Sequence, residues 1–278
     1  MVKIVYSFLV LIVVCICACV FYLVNPNDAQ YKSYYSQLQY FKAMDSGDIN
    51  KAIDSLNNPV SIKYHYAQNF MLSNLLISAG RYDEAQKVIE SFEKEYDYSH
   101  CAPRKFWGKL FCRLEFAAIG QPKFEYRKNL YLSKLYFAKG DYKKAIEYDN
   151  ADKNRDVCYS TRLLSASGDI DAANKFMNLC AKKYEKARYP RAMHIARGSY
   201  LMAQKNYKAA LSEFEKDIKL SNCQSIKTCR GNSTTYLYMA QCYKKLGNNS
   251  KTLEYYNKIL TSEPWNYKAN EEIKKLKK

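Results

Sequence analysis

Acidic groups are scarce in this chain. Against 44 Lys and Arg it has 27 Asp and Glu, a formal charge of +17 over 278 residues. Most of the acids stand singly among lysines, which pairing along helix surfaces accounts for without any acid–base couple. Histidine is scarcer still: His65, His100 and His194 are scattered. His100, Cys101 and Cys112 offer three metal-ligating side chains, but their spacing fits no metal signature. A phosphate-cradling glycine loop, a dinucleotide glycine fingerprint and a zinc-protease helix motif are all missing. These absences point away from an enzyme, and no cofactor or metal is expected. The basic excess favours acidic partners: anionic lipid headgroups, acidic polymers, acidic peptides or nucleic acid. Its bland alternative is that lysines merely solvate helix faces.

What is present is a recurring cassette. It reads Gly47-Asp48-Ile49-Asn50-Lys51-Ala52, then Gly80-Arg81-Tyr82-Asp83-Glu84-Ala85. It returns from Gly140 to Ala145 and from Gly168 to Ala173. A fifth copy, Lys205 to Ala210, has lost the glycine, and a sixth, Gly247 to Thr252, is weaker. Each copy follows one apolar helical run and opens another. Such a helix–turn–helix unit cannot bury its apolar face alone, so it stacks on its neighbours. The glycine permits a left-handed backbone at the turn. Ala52, Ala85, Ala145, Ala173 and Ala210 mark where two helices approach closely, and a larger side chain would push them apart. Tyr82, Tyr142 and Tyr207 cap the core with their rings and keep their hydroxyls wet.

The residues at these spacings resemble tetratricopeptide repeats. Tyr236, Met239, Ala240, Tyr243, Tyr256, Ile259 and Pro264 make the best single match. Leu72, Leu76, Gly80, Tyr82, Ala85, Ile89 and Phe92 make the next. The resemblance covers roughly residues 33–265. It implies an all-α fold, a right-handed α-solenoid that binds peptides or proteins and carries out no catalysis. At about 34 residues per unit, the soluble part has room for roughly seven units.

The first 25 residues form a separate segment, and residues 26–278 the repeat domain with a terminal capping helix. Ile4 to Val24 carries no charge. At about 1.5 Å per residue it is long enough to cross a hydrocarbon layer of roughly 30 Å. The first reading is a retained signal anchor. A cleaved signal peptide is opposed by the apolar run through Val24, and a lipoprotein signal by the apolar residues after Cys19. Lys3 and the amino terminus favour the cytoplasm, which puts the repeats outside, in the periplasm or at the cell surface.

Three of the ten cysteines lie in that segment. Cys112 and Cys180 occupy apolar helical positions and read as core filling. Cys223 and Cys229 bracket an insertion, and in an oxidising compartment they are expected to pair. Along the chain, the helix after Gly47 ends near Asn57-Asn58-Pro59. The helix after Gly140 ends near Asp149 to Asp152, and a last helix spans 265–276.

One constellation suggests a binding face. Residues thirteen, nine and six places before the turn glycine lie on one helical face. Before Gly140 they are Arg127, Tyr131 and Lys134; before Gly168, Arg155, Tyr159 and Arg162. Before Gly247 they are Thr234, Tyr238 and Gln241. The same count gives Ala67, Met71 and Asn74 before Gly80, and Tyr34, Leu38 and Phe41 before Gly47. The basic–aromatic triplets suit a protein or peptide segment that is acidic and extended. The bland alternative is that Tyr and Arg are simply abundant and fill the core. The expected function is therefore a membrane-tethered scaffold or adaptor. Lys, Asn, Ile and Tyr abundance suggests a bacterial, AT-rich source, and a cell-envelope setting by analogy of fold. A binder of anionic polymer is the rival, with nucleic acid its weaker form. A thiol-redox enzyme ranks last, for want of a dithiol motif.

Overall fold

The structure, a computed structural model, describes residues 38–57, 62–91, 128–187, 190–221 and 230–277. Among them every regular element is a helix. The expected anchor, Ile4 to Val24, and the Cys223–Cys229 pair lie outside these residues, as do Cys101, Cys112 and His100. No helix among the described residues is long and apolar enough to cross a membrane.

The helices run as pairs. Helix α1 (38–46) is followed by α2 (Ile49–Asn57), α3 (Ile62–Ser78) and α4 (Tyr82–Glu90). Then come α5 (Lys128–Lys139), α6 (Tyr142–Ala151), α7 (Val157–Ser167) and α8 (Ile170–Tyr184). Helices α9 (Arg191–Ala203), α10 (Tyr207–Leu220), α11 (Ser233–Lys245), α12 (Asn249–Ser262) and α13 (Tyr267–Leu276) complete the chain. Each of α2 to α12 packs on its successor, and α7 also packs on α9, the first helix of the next unit.

The cassettes form the turns, and one geometry serves all six. The amide of the Gly or Lys bonds back three residues, and the next amide bonds back five, as in Gly168 N to Ser165 O and Asp169 N to Leu164 O. This closes the preceding helix with a left-handed residue. The residue after it then caps the following helix. Asp48, Asp141, Asp169, Asn206 and Asn248 each accept the amide of the residue three places on. One short cassette thus ends one helix and begins another. Lys205 holds the same left-handed conformation with φ 61°, although it has a side chain.

The five cassette alanines are fully buried, as close helix approach demands. Gly198 adds a contact of the same kind: a Cβ placed there would sit 2.3 Å from the Phe214 ring. Buried polar groups tie the last two units together. Arg191 donates from Nε to Asp217 Oδ1 (2.8 Å) and from Nη2 to Asn232 Oδ1 (2.7 Å). Thr235 donates to the other Asp217 oxygen at 2.6 Å. Cys180 departs from its expected role as plain core filling: it is buried, and it is joined to Cys158 in a disulfide that pins α7 to α8. The two cysteines face each other across one helix pair, so their side chains fill the core and cross-link it together.

Candidate partner-binding face

The first helices of the units, α1, α3, α5, α7, α9 and α11, carry the predicted face. Arg127 lies outside the described residues. Tyr131 is buried, with Phe70 edge-on to its ring at 4.6 Å. Lys134, one turn on, holds its ammonium 4.9 Å from the centre of that ring.

The two arginines of the second triplet have different surroundings. Arg155 turns inward: its Nε is 2.6 Å from Asp149 Oδ2 and 3.0 Å from Ser160 Oγ, and its guanidinium lies 4.2 Å from the Phe176 ring centre. Asp149 is fully buried, and burial pushes its carboxyl pKa up despite Ser160 and Arg155. Arg155 therefore ties one unit to the next. Tyr159 is also buried, with its hydroxyl 3.0 Å from Ser133 Oγ. Ser133 spends its proton on Ala145 O, so Tyr159 is the donor.

Arg162 is partly exposed. Its Nε and Nη2 donate weakly to Tyr238 Oη at 3.4 and 3.3 Å. The guanidinium carbon is 5.9 Å from the Tyr159 ring centre and 5.6 Å from that of Tyr238. Tyr238 in turn stacks on Phe214 at 5.4 Å, and Gln241 lies one turn further, partly exposed. Arg162 thus bridges units four and six. The unit between them permits this because its corresponding residues, Ala192, Ala196 and Ser199, are small.

Charge distinguishes Arg162 from its peers. Among the described arginine side chains, Arg81, Arg155, Arg191 and Arg197 each have a carboxylate within 4.0 Å. Arg162 has phenol rings and a hydroxyl instead. With Nε and Nη2 turned to Tyr238, a guanidinium held this way can still offer its Nη1 group to an oxyanion from outside. Toward the amino terminus Leu38 and Phe41 are 38% and 49% exposed.

Sequence reasoning missed Asp149, Asp217 and Gly198. Gly198 had a legible signal, since it stands eight residues before the Asn206 cap in the middle of a helix. The acids had none, because their partners lie on other helices: Arg155 in the next unit for Asp149, and Arg191 and Thr235 for Asp217. Burial pushes the Cys242 thiol up to about 12, far from a reactive thiolate. His194 bonds Glu213 at 2.8 Å beside Lys216, and no metal-holding cluster occurs among the described residues.

One family model agrees with the repeat reading over a single unit. Residues 234–264 match a tetratricopeptide repeat family model. A solved tetratricopeptide repeat protein from Parabacteroides merdae aligns over 88% of this chain and 98% of its own, at 15% identity and a TM-score of 0.39. No curated protein matches the chain. The matched stretch covers most of the sixth unit, α11 with α12, in a row of helix pairs built with the same turns.

Proposed function

We propose that this protein is a membrane-tethered scaffold or adaptor whose first-helix face grips an acidic, extended segment of a protein partner. The observation that carries the reading is Arg162, a partly buried cation with aromatic neighbours and, among the described residues, no carboxylate within 4.0 Å. Burying a guanidinium costs solvation, and an incoming carboxylate restores its ionic partner. Lys134 above Tyr131 would meet the same segment two helices away, and Leu38 with Phe41 its apolar part. Tyr131, Tyr159 and Arg155 support this face from within rather than touching the partner.

The setting proposed is a bacterial cell envelope, with Ile4 to Val24 as the anchor and the repeats outside the cytoplasm. The Cys158–Cys180 disulfide supports it, because such bonds persist in oxidising compartments. Protease shaving of intact spheroplasts tests the topology: repeats cut from outside agree with it, and full protection reverses the orientation. The net charge of +17 favours one second reading, an anionic polymer as the ligand. That reading requires affinity to fall steeply with salt and to spread over many lysines. The protein-partner reading requires alanine at Arg162 to weaken binding far more than alanine at Lys274 on α13.

A further inference from the structure

The chain meets itself end to end. The elbow between α12 and α13, residues 263–267, packs against the turns of the first two units. Trp265 donates its Nε1–H to Ser78 Oγ at 3.2 Å, across 187 residues of sequence, and its ring joins the core of α1 to α5. Tyr267 lies against the second turn so closely that a Cβ on Gly80 would come within 2.7 Å of its ring. Its edge also meets Tyr82, with ring centres 6.4 Å apart. Pro264 sits against the first turn, with its Cγ 3.3 Å from where a Gly47 Cβ would be. Gly80 therefore serves twice, with a left-handed φ of 76° and an absent side chain.

The elbow is held in shape from its own side. Glu263 accepts from Ser233 Oγ at 2.7 Å and from Asn266 Nδ2 at 2.8 Å, and Asn270 donates to Pro264 O at 3.0 Å. It is thus a preformed knob on the last units, fitted to two turns of the first. The fit is slight compared with the helix pairs. Among the described residues it consists of one indole hydrogen bond and the ring contacts of Pro264, Trp265 and Tyr267, and Tyr267 stays 46% exposed. Contacts this small open locally, well below the free energy of global unfolding.

We propose that the elbow is a releasable clasp, which closes the units into a circuit at rest and lets the two ends part. Regulation by such a clasp rests on the proposed use of the first-helix face: release would widen the approach to that face for a partner. The clasp itself is tested without any partner, so failure here and failure of the binding reading are separable. The experiment is amide hydrogen exchange by mass spectrometry on the full chain in lipid nanodiscs.

In the parent, segments 44–50, 77–83 and 264–276 should share one opening, less protected than α11 and α12. Tyr267→Ala, a change at a half-exposed ring, should speed exchange in all three segments by about tenfold or more and leave α11 and α12 unchanged. Trp265→Ala should do the same more strongly. The proposal is overturned if the three segments exchange only with α11 and α12. It is equally overturned if Tyr267→Ala alters nothing beyond 264–276, or if both variants loosen the whole chain uniformly.

Discussion

Lys205 stands where five other turns have glycine and adopts the same left-handed backbone, at φ 61°. A side chain there costs about 1 kcal/mol, so Lys205→Gly should raise stability by roughly that amount. Thermal melts check this, and a lower midpoint would mean that the lysine side chain contributes more than its backbone costs. Asp217 presents the opposite case. It is fully buried and holds Arg191 and Thr235, so Asp217→Ala takes the ionic partner from a partly buried cation and leaves Thr235 without its acceptor. A loss of about 3–5 kcal/mol is expected in denaturant titration, against under ~1 kcal/mol for exposed ion pairs such as Lys274–Glu271.

At the scale of helices, packing depends on small residues at fixed distances from the turns. Ala85→Leu and Ala145→Leu should each cost about 1–3 kcal/mol through overpacking, since both sites are fully closed. Parent-like melts for both would show the register to be wrong. The disulfide between α7 and α8 closes a loop with a sequence separation of 22, and replacing both cysteines by alanine should cost about 2–5 kcal/mol. Helix α13 is tied down by Glu272, which meets Lys244 at 2.6 Å and Lys275 at 3.1 Å. Burial pushes its carboxyl up, but the two lysines outweigh it and hold the pKa below 4.5. Its stabilisation is then present above about pH 4.5 and lost as pH falls through the lower folded value. Glu272→Gln should lower the melting midpoint near neutral pH, with the gap closing below about pH 4. A gap that persists in acid would assign the effect to packing.

The turns were legible because their chemistry is local: a left-handed residue followed by an Asp or Asn cap needs only neighbours in sequence. Helix ends near Asn57 and Ala151 were legible for the same reason. The differing roles of Arg155 and Arg162 were not. Both occupy the same helical face, but one meets Asp149 from the preceding helix pair and the other meets Tyr238 two units on. Those partners are set by how units stack, which spacing alone does not encode. The Cys158–Cys180 bond was hidden likewise, because only the pairing of α7 with α8 brings the two sulfurs together.

For the whole molecule, the central claim is that the first-helix face holds a partner through Arg162. Site-specific photo-crosslinking in intact cells tests it most directly. A photoreactive residue at Gln241, half-exposed one turn from Tyr238, should capture a discrete partner, whereas one at the outward Lys274 should not. In the same background Arg162→Ala should weaken binding by about 2 kcal/mol, a loss of roughly thirtyfold in affinity, with circular dichroism unchanged. The account is contradicted if Lys274 captures the partner and Gln241 does not, or if a folded Arg162→Ala variant gives the same Gln241 adduct at the same partner concentration.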